Sequence, residues 1–402
     1  MKIKVGVIFG GESVEHEVSI ITAIQAINKM DAEKYDVIPI YITKDRIWYT
    51  GNMLKDIDAY QDLDLIKRFA TPVVLYEKEG RFILQSKNFL KRTIAEIDIA
   101  FPIVHGTNVE DGVLQGYLQA VGIPHVGCDV YASVVGQDKV FQKQIFQANK
   151  LPITDYLWFY DTDYQDDSKP IIDKATKIGF PLIVKPARLG SSIGVGVAKT
   201  EEELKEKIEA AINYDDKVVV EKLVENLMEV NISVLGNYEN QELSAIEQVF
   251  SKKPFLTYEE KYTNGGKKGK LGAKFKTSKG MASASRVIPA NLEASIKEEL
   301  ESTALKAFKL LKSSGVVRID FLLDTNTNKL YINEINNIPG SLSYYLWSPM
   351  KKEFSELLDN MINIGIKDYK KRMNKTYSFN TNILKGFSEL GIKGLKGSKK
   401  IR

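Results

Sequence analysis

Residues 315–347 read GVVRIDFLLDTNTNKLYINEINNIPGSLSYYLW, and the rest of the chain is organised around them. Val316, Val317, Ile319, Phe321 and Leu323 make a β-rich run. The turn-forming residues 324–328 interrupt it, and Leu330, Tyr331 and Ile332 begin a second run, so the stretch reads as a hairpin. Arg318 and Asp320 are two apart and share a face, as do Glu334 and Asn336. One hairpin face therefore gathers three oxygen donors beside a fixed cation. Carboxylates within about 4 Å of each other repel by roughly 4 kcal/mol at an effective dielectric near 20, so a positive ion belongs between them. Asp, Glu and an Asn carbonyl, with no Cys or His nearby, make a Mg²⁺ donor set, completed by waters and substrate phosphates. The bland alternative is a solvated edge hairpin whose polar residues merely face water.

Working outward, 402 residues suffice for two or three domains. Lys and Arg number 56 against 52 Asp and Glu, a net charge of +4 that gives no global argument for nucleic acid. The single cysteine, Cys128, cannot form an internal disulfide, which suits a reducing, cytoplasmic setting. The start, MKIKVGVIFGG, turns into glycines and acid too early for a signal peptide, and no apolar run approaches the ~20 residues of a membrane span.

Residues 5–9, Gly10-Gly11, the helical pattern over 18–30 and a strand at 36–42 form a β-turn-α-β unit. The full dinucleotide fingerprint is absent. Glu12, Glu15, His16, Glu17 and Ser19 lie between the glycines and the helix. Acid there serves capping and dipole compensation, or holds a substrate ammonium at the carboxyl end of the first strand. Residues 72–76 and 81–85 read as strands. A buried-type strand at 97–104 runs into HGTNVEDG (105–112) and a helix over 113–121, again site geometry.

A second unit follows residue 124. One helical pattern spans 131–149 and carries Lys139, either a rim lysine or a phosphate contact. The strand 180–185 ends in Lys185 and enters PARLGSSIG (186–194), whose glycines, Ser191 and Ser192 can wrap phosphate oxygens before the strand 195–198. An ordinary Gly-Ser turn would explain neither the lysine nor the length. After a helix over 201–213, Glu221 and Lys222 end the run 218–224 at a hinge suited to adenine, and a strand covers 228–235. Residues 263–286 hold six lysines, one arginine and five glycines but no acid, which favours a lid over phosphates rather than a disordered loop. Amphipathic helices at 292–312 and from Phe354 flank the hairpin, and 371–402 reads as a basic tail.

Together these motifs, in this order over residues 1–350, resemble an ATP-grasp ligase of the D-alanine–D-alanine ligase family. The resemblance implies an α/β (α+β) architecture of three domains. An open α/β N-terminal domain spans 1–127, and two lobes, 128–222 and 223–370, clamp ATP. Residues 10–19 match the family's GG-x-S-x-E-x-E-V-S segment, which implies that Glu15 holds the first D-alanine's ammonium, with His105 beside the same substrate. Ser191 matches the loop serine linked to Glu15 and Tyr262. Lys139, Lys185 and Lys261 correspond to phosphate lysines, with Ser192 in the same loop. Glu221, Lys222, Val224 and Glu229 fall where adenine and ribose are gripped. Arg318 and the Gly340 backbone fit the stabilisers of the tetrahedral oxyanion. Asp320, Glu334 and Asn336 fit the ligands of two Mg²⁺ ions, replaceable by Mn²⁺.

Two positions depart from the pattern. Val109 stands where the family has glycine, and Tyr345 stands where a serine faces the second substrate's carboxylate, with the backbone near Leu346 as a further contact. The resemblance implies D-alanyl-D-alanine for peptidoglycan precursors. The rivals are a ligase with D-serine, D-lactate or another small amino acid as second substrate, and a non-catalytic ATP-binding protein. Dimers are the commonest oligomers for such chains.

Overall fold

The computed structural model describes residues 2–250 and 286–381 of the 402-residue chain. Lys261, Tyr262 and residues 263–285 of the expected lid lie outside the described residues, as does the tail beyond 381.

The first sheet has seven strands, β1 (Ile3–Gly10), β2 (Tyr35–Ile42), β3 (Trp48–Thr50), β4 (Thr71–Lys78), β5 (Arg81–Ser86), β6 (Thr93–Ile97) and β7 (Ile99–Val104), in the order β6-β5-β4-β3-β2-β1-β7. β1 lies between β2 and β7 and is parallel to both, so the carboxyl ends of β1 and β7 are neighbours. All six residues of β7 are buried, as the unbroken apolar run over 99–104 anticipates. The helices α1 (His16–Ile27), α2 (Leu63–Phe69) and α3 (Val113–Ala120) belong to this unit. Ser19 of α1 accepts from the Gly10 N–H at 2.8 Å and donates to the Ile103 carbonyl at 2.6 Å, fastening the helix across both strand ends.

The expected single helix over 131–149 is two, α4 (Val130–Gln137) and α5 (Lys139–Ala148). Asp138 is the reason. Its backbone is extended, and its carboxylate accepts from the N–H groups of Val140 and Phe141, which starts a new helix. The second sheet runs β10-β9-β11-β8, from β8 (Tyr156–Tyr160), β9 (Leu182–Pro186), β10 (Gly196–Ala198) and β11 (Lys217–Lys222). α6 (Asp161–Asp166), α7 (Ser168–Ile178) and α8 (Glu201–Ile212) complete this unit, and α7 and α8 bury Ile172, Leu204 and Ile208 against the sheet.

The third sheet is built on β12 (Leu227–Gly236), with β13 (Gln241–Leu243), β14 (Glu247–Val249) and β15 (Arg286–Val287) to one side and the hairpin β16 (Gly315–Asp324) and β17 (Lys329–Asn336) to the other. The hairpin pairs Arg318 with Asn336 and Asp320 with Glu334, with a register irregularity after Asp320. This is the one-face arrangement expected from alternation. α9 (Ala294–Leu310) covers this sheet through Ile296, Leu300 and Ala304. The last helix, α10 (Phe354–Met373), and residues 340–346 return to the first sheet, where Leu342, Trp347, Leu357 and Leu358 join its core. That return seats the end of the hairpin against the carboxyl ends of β1 and β7.

Candidate active site

Two clefts meet beneath the loop after β9. The first, about 780 Å³, has apolar walls of Ile183, Val195, Leu227 and Leu322, and a polar end at Lys139, Lys185 and Glu334. Ser192, Lys222, Val224 and Glu229 also line it. The second, about 610 Å³, is polar and gathers Glu15, His105, Glu110, Arg318, Asn336 and Gly340. Lys139, Gly190, Ser191 and Glu334 line both, so the two are separated by a few side chains only. One cleft has the apolar walls a purine needs; the other has charges for a small zwitterion.

The lysines of the first cleft are held by a buried network. Lys139 donates to the Leu189 carbonyl at 2.6 Å and lies 3.3 Å from Glu334. Lys185 donates to Asn333 at 3.0 Å and stands 3.2 Å from Glu221. The other oxygen of Glu221 is 3.0 Å from Lys143, and Thr154 donates to it at 2.9 Å. Burial pushes the Glu221 carboxyl up, but the Lys143 and Lys185 ammoniums outweigh it and hold the group down to about 2. Glu221 is therefore ionised and spent on two lysines, while Lys222 donates to the carbonyls of Gly179 and Phe180 and braces the strand entry. The sequence reading overlooked Lys143 and Asn333. Lys143 had a signal, because it lies one helical turn after Lys139 on the face that α5 buries.

In the second cleft, Glu15 sits at the start of α1 and accepts a hydrogen bond from the Ser191 hydroxyl. Gly190 permits this approach, since a Cβ there would come within 2.6 Å of the Glu15 carboxylate. His105 is fully enclosed. Burial, aided by the Arg318 charge, lowers it to about 3, so the ring is neutral, 3.3 Å from the Thr22 hydroxyl. Thr22 also accepts from the Ser341 N–H at 3.1 Å. Glu110 is raised to about 8 by burial and by the neighbouring Glu15. It accepts from the N–H groups of Gly106 at 2.9 Å and Ile338 at 3.1 Å, which ties the loop after β7 to the end of the hairpin. His16 is structural, its ring nitrogens lying 2.6 Å from the Gly11 carbonyl and 2.9 Å from the Tyr41 hydroxyl. Val109 takes the place of glycine without harm because it packs on Gly11, where a Cβ would meet it at 2.4 Å.

On the hairpin, Arg318 grips Asp320 with Nε at 2.6 Å and Nη2 at 2.7 Å, and Asn336 donates to the same carboxylate at 3.0 Å. Among the described residues no three acidic, His or Cys side chains converge. A divalent ion here would rest on two carboxylates and one amide carbonyl, all hard donors that fit Mg²⁺. Beyond the hairpin, residues 341–343 follow Gly340 in a left-handed turn, with φ near 50° at Ser341, Leu342 and Ser343. Tyr345 is not among the residues that line the second cleft. Its ring centroid is 4.1 Å from the Arg286 guanidinium, and its hydroxyl donates to Glu247 at 3.4 Å. Leu346 is buried, and its carbonyl accepts from the Ala245 N–H. Glu247 and Arg286 carried no sequence signal, since only strand pairing brings them near the hairpin.

Residues 4–128 match the family model for the D-ala D-ala ligase N-terminus, and residues 145–363 match that for the C-terminus. The D-alanine–D-alanine ligase of Thermosipho africanus is 40% identical over 386 residues, covering 95% of this chain and 98% of that protein. That of Clostridium acetobutylicum is 35% identical, covering 91% and 98%. Among solved structures, the D-alanine–D-alanine ligase from Coxiella burnetii superposes with a TM-score of 0.75 at 27% identity, over 92% of this chain and 96% of that one. The VanG D-Ala:D-Ser ligase from Enterococcus faecalis gives 0.73 at 27%, over 91% and 100%. With both halves matched and a relative 40% identical over 95% of this chain, the chain belongs to the D-alanine–D-alanine ligase family.

Proposed function

We propose that this protein joins two D-alanines at the expense of ATP, giving D-alanyl-D-alanine, ADP and phosphate for peptidoglycan precursors. The observation that carries the reading is the junction of an apolar-walled, lysine-ended cleft with a small charged cleft across Lys139 and Ser191. A carboxylate is inert toward amines, so its oxygen first attacks the γ-phosphorus of ATP and ADP leaves. The amine of the second D-alanine then attacks the acyl carbon, and phosphate departs with that oxygen.

Each residue has a task in this scheme. Glu15 receives the first substrate's ammonium, and Ser191 and the neutral His105 fix its orientation. Lys139 and Lys185, with Lys261, spread the charge of the transferring phosphoryl group, while Ser192 caps the phosphates. Val224, Glu229 and the strand end at Glu221 and Lys222 hold adenine and ribose. Asp320, Glu334 and the Asn336 carbonyl would hold Mg²⁺ or Mn²⁺, which supplies countercharge to the phosphate oxygens. Arg318 and the Gly340 N–H stabilise the tetrahedral oxyanion, where losing one donor costs roughly 3–4 kcal/mol. Tyr262, by the family pattern, completes a hydroxyl–carboxylate network with Ser191 and Glu15. The three sheets support a division into 1–127, 128–222 and 223–370, with a basic tail at 371–402. No helix among the described residues is long and apolar enough to cross a membrane. An ATP-consuming ligase with one buried cysteine fits the cytoplasm, and a homodimer is the commonest assembly.

Carboxyl-¹⁸O D-alanine tests the pathway. The acyl phosphate route puts one ¹⁸O atom into each phosphate released; unlabelled phosphate with dipeptide formed would exclude it.

A further inference from the structure

Strand pairing sets Glu247, Asn231, Asp320 and Glu334 opposite one another on β14, β12, β16 and β17, so these four side chains form a row on one face of the third sheet. Asn231 is 2% exposed. Its Nδ2 donates to Glu247 at 3.1 Å, and its Oδ1 is buried without a hydrogen-bond donor. The amide is fixed in this sense, because turning it over would set its oxygen against the carboxylate. Buried acceptors in folded proteins are normally satisfied, so this oxygen is an open seat for a donor that arrives in another state.

Arg318 is placed to be that partner. It pairs with Ser233 on β12 and is thus diagonal to Asn231, a separation of roughly 7–8 Å that a guanidinium can span. At present it is bound to Asp320 through two hydrogen bonds. That grip occupies the carboxylate that the proposed function assigns to a divalent cation, and the inference rests on that assignment. We infer that Arg318 has two seats, one on Asp320 while that carboxylate is free of metal and a second on Asn231 Oδ1 and Glu247 once Asp320 turns to a divalent cation. Asn231 is then a positioning residue that favours metal binding without touching the metal. Glu247 supplies a fixed countercharge for the second seat, braced by Arg286 at 2.5 Å and by the Tyr345 hydroxyl. Tyr345 thereby supports the arginine from behind.

The test is a double-mutant cycle on Mn²⁺ affinity in the presence of ADP, read from the free Mn²⁺ resonance signal. Asn231→Leu, which keeps the branched shape without the amide, should weaken Mn²⁺ binding about tenfold in the wild-type background, in the usual range of site coupling. In an Arg318→Met background, where the guanidinium no longer competes for Asp320, the same change should alter affinity less than twofold. Equal weakening in both backgrounds, or none in the first, overturns the two-seat scheme. Absence of Mn²⁺ binding to the wild type would instead overturn the metal assignment and the inference with it. Should Arg318→Met fail to fold, the Arg318 Nε–H resonance of the wild type, identified by its loss in Arg318→Lys, decides. It should move on adding Mg²⁺ with ADP but not on adding ADP alone; an unmoved resonance overturns the scheme.

Discussion

Replacing Lys143 by methionine probes the charge cluster behind the lysine end of the first cleft. The side chains of Lys143 and Glu221 are 1% and 2% exposed and 3.0 Å apart. Methionine keeps the apolar stem, so the loss is the ammonium alone. Removing one member of a buried pair costs about 3–5 kcal/mol, since the other charge stays behind. Glu221 would keep Lys185 at 3.2 Å and Thr154 at 2.9 Å, which places the cost near the lower end, about 3 kcal/mol. In a unit of 150–250 residues this lowers the melting temperature by roughly 6–12 °C. Lys185 would then be the one ammonium left on Glu221, so KM for ATP should rise severalfold with a smaller change in kcat. Calorimetry of Lys143→Met, Glu221→Gln and the double variant gives the coupling directly, and the double variant should be at least 1 kcal/mol more stable than the sum of the single losses predicts. Additive losses, or a Lys143→Met midpoint within about 2 °C of wild type, would refute the cluster as the support of Lys185.

Glu110 predicts a pH dependence. Its folded-state value of about 8 lies above the ordinary carboxyl value, so its contribution to stability is fully present below about pH 4.5 and is lost as the pH rises toward 8. Glu110→Gln should flatten the fall in melting temperature between pH 5 and 8; a profile as steep as wild type would contradict the assignment. Asp320→Asn removes half the carboxylate charge of the hairpin site and should cut ATP turnover by orders of magnitude, as a coupled ADP-release assay would show. Tyr345→Phe should leave KM for the second amino acid within twofold, because Tyr345 is off the cleft lining, while Tyr345→Ser should cost about 3 kcal/mol or more through the cavity left beside Arg286. Steady-state kinetics and denaturation measure the two effects separately.

The hairpin was legible because alternation is a strict geometric rule: residues two apart share a face, and the observed pairing of Arg318 with Asn336 and Asp320 with Glu334 follows from it. The loops after β1 and β7 were legible for a similar reason, as strand–loop–helix patterns put polar residues at strand ends. Asp138 shows where periodicity fails. The apolar spacing continues through it, but its carboxylate accepts two backbone N–H groups and restarts the helix. Glu247 and Asn231 were out of reach because their place depends on which strands pair, information that no local window holds. The turn at 341–343 was hidden too. Left-handed backbone costs roughly 1–2 kcal/mol per non-glycine residue, and the burial of Leu342 and Trp347 in the first core helps offset it here.

Product identification after incubation with ATP, Mg²⁺ and a panel of D-alanine, L-alanine, D-serine and D-lactate separates the proposed ligase from its rivals. The expected product is D-alanyl-D-alanine from D-alanine alone, with one ADP and one phosphate per dipeptide. ATP consumption without dipeptide, or a depsipeptide or D-alanyl-D-serine formed in preference, would contradict it.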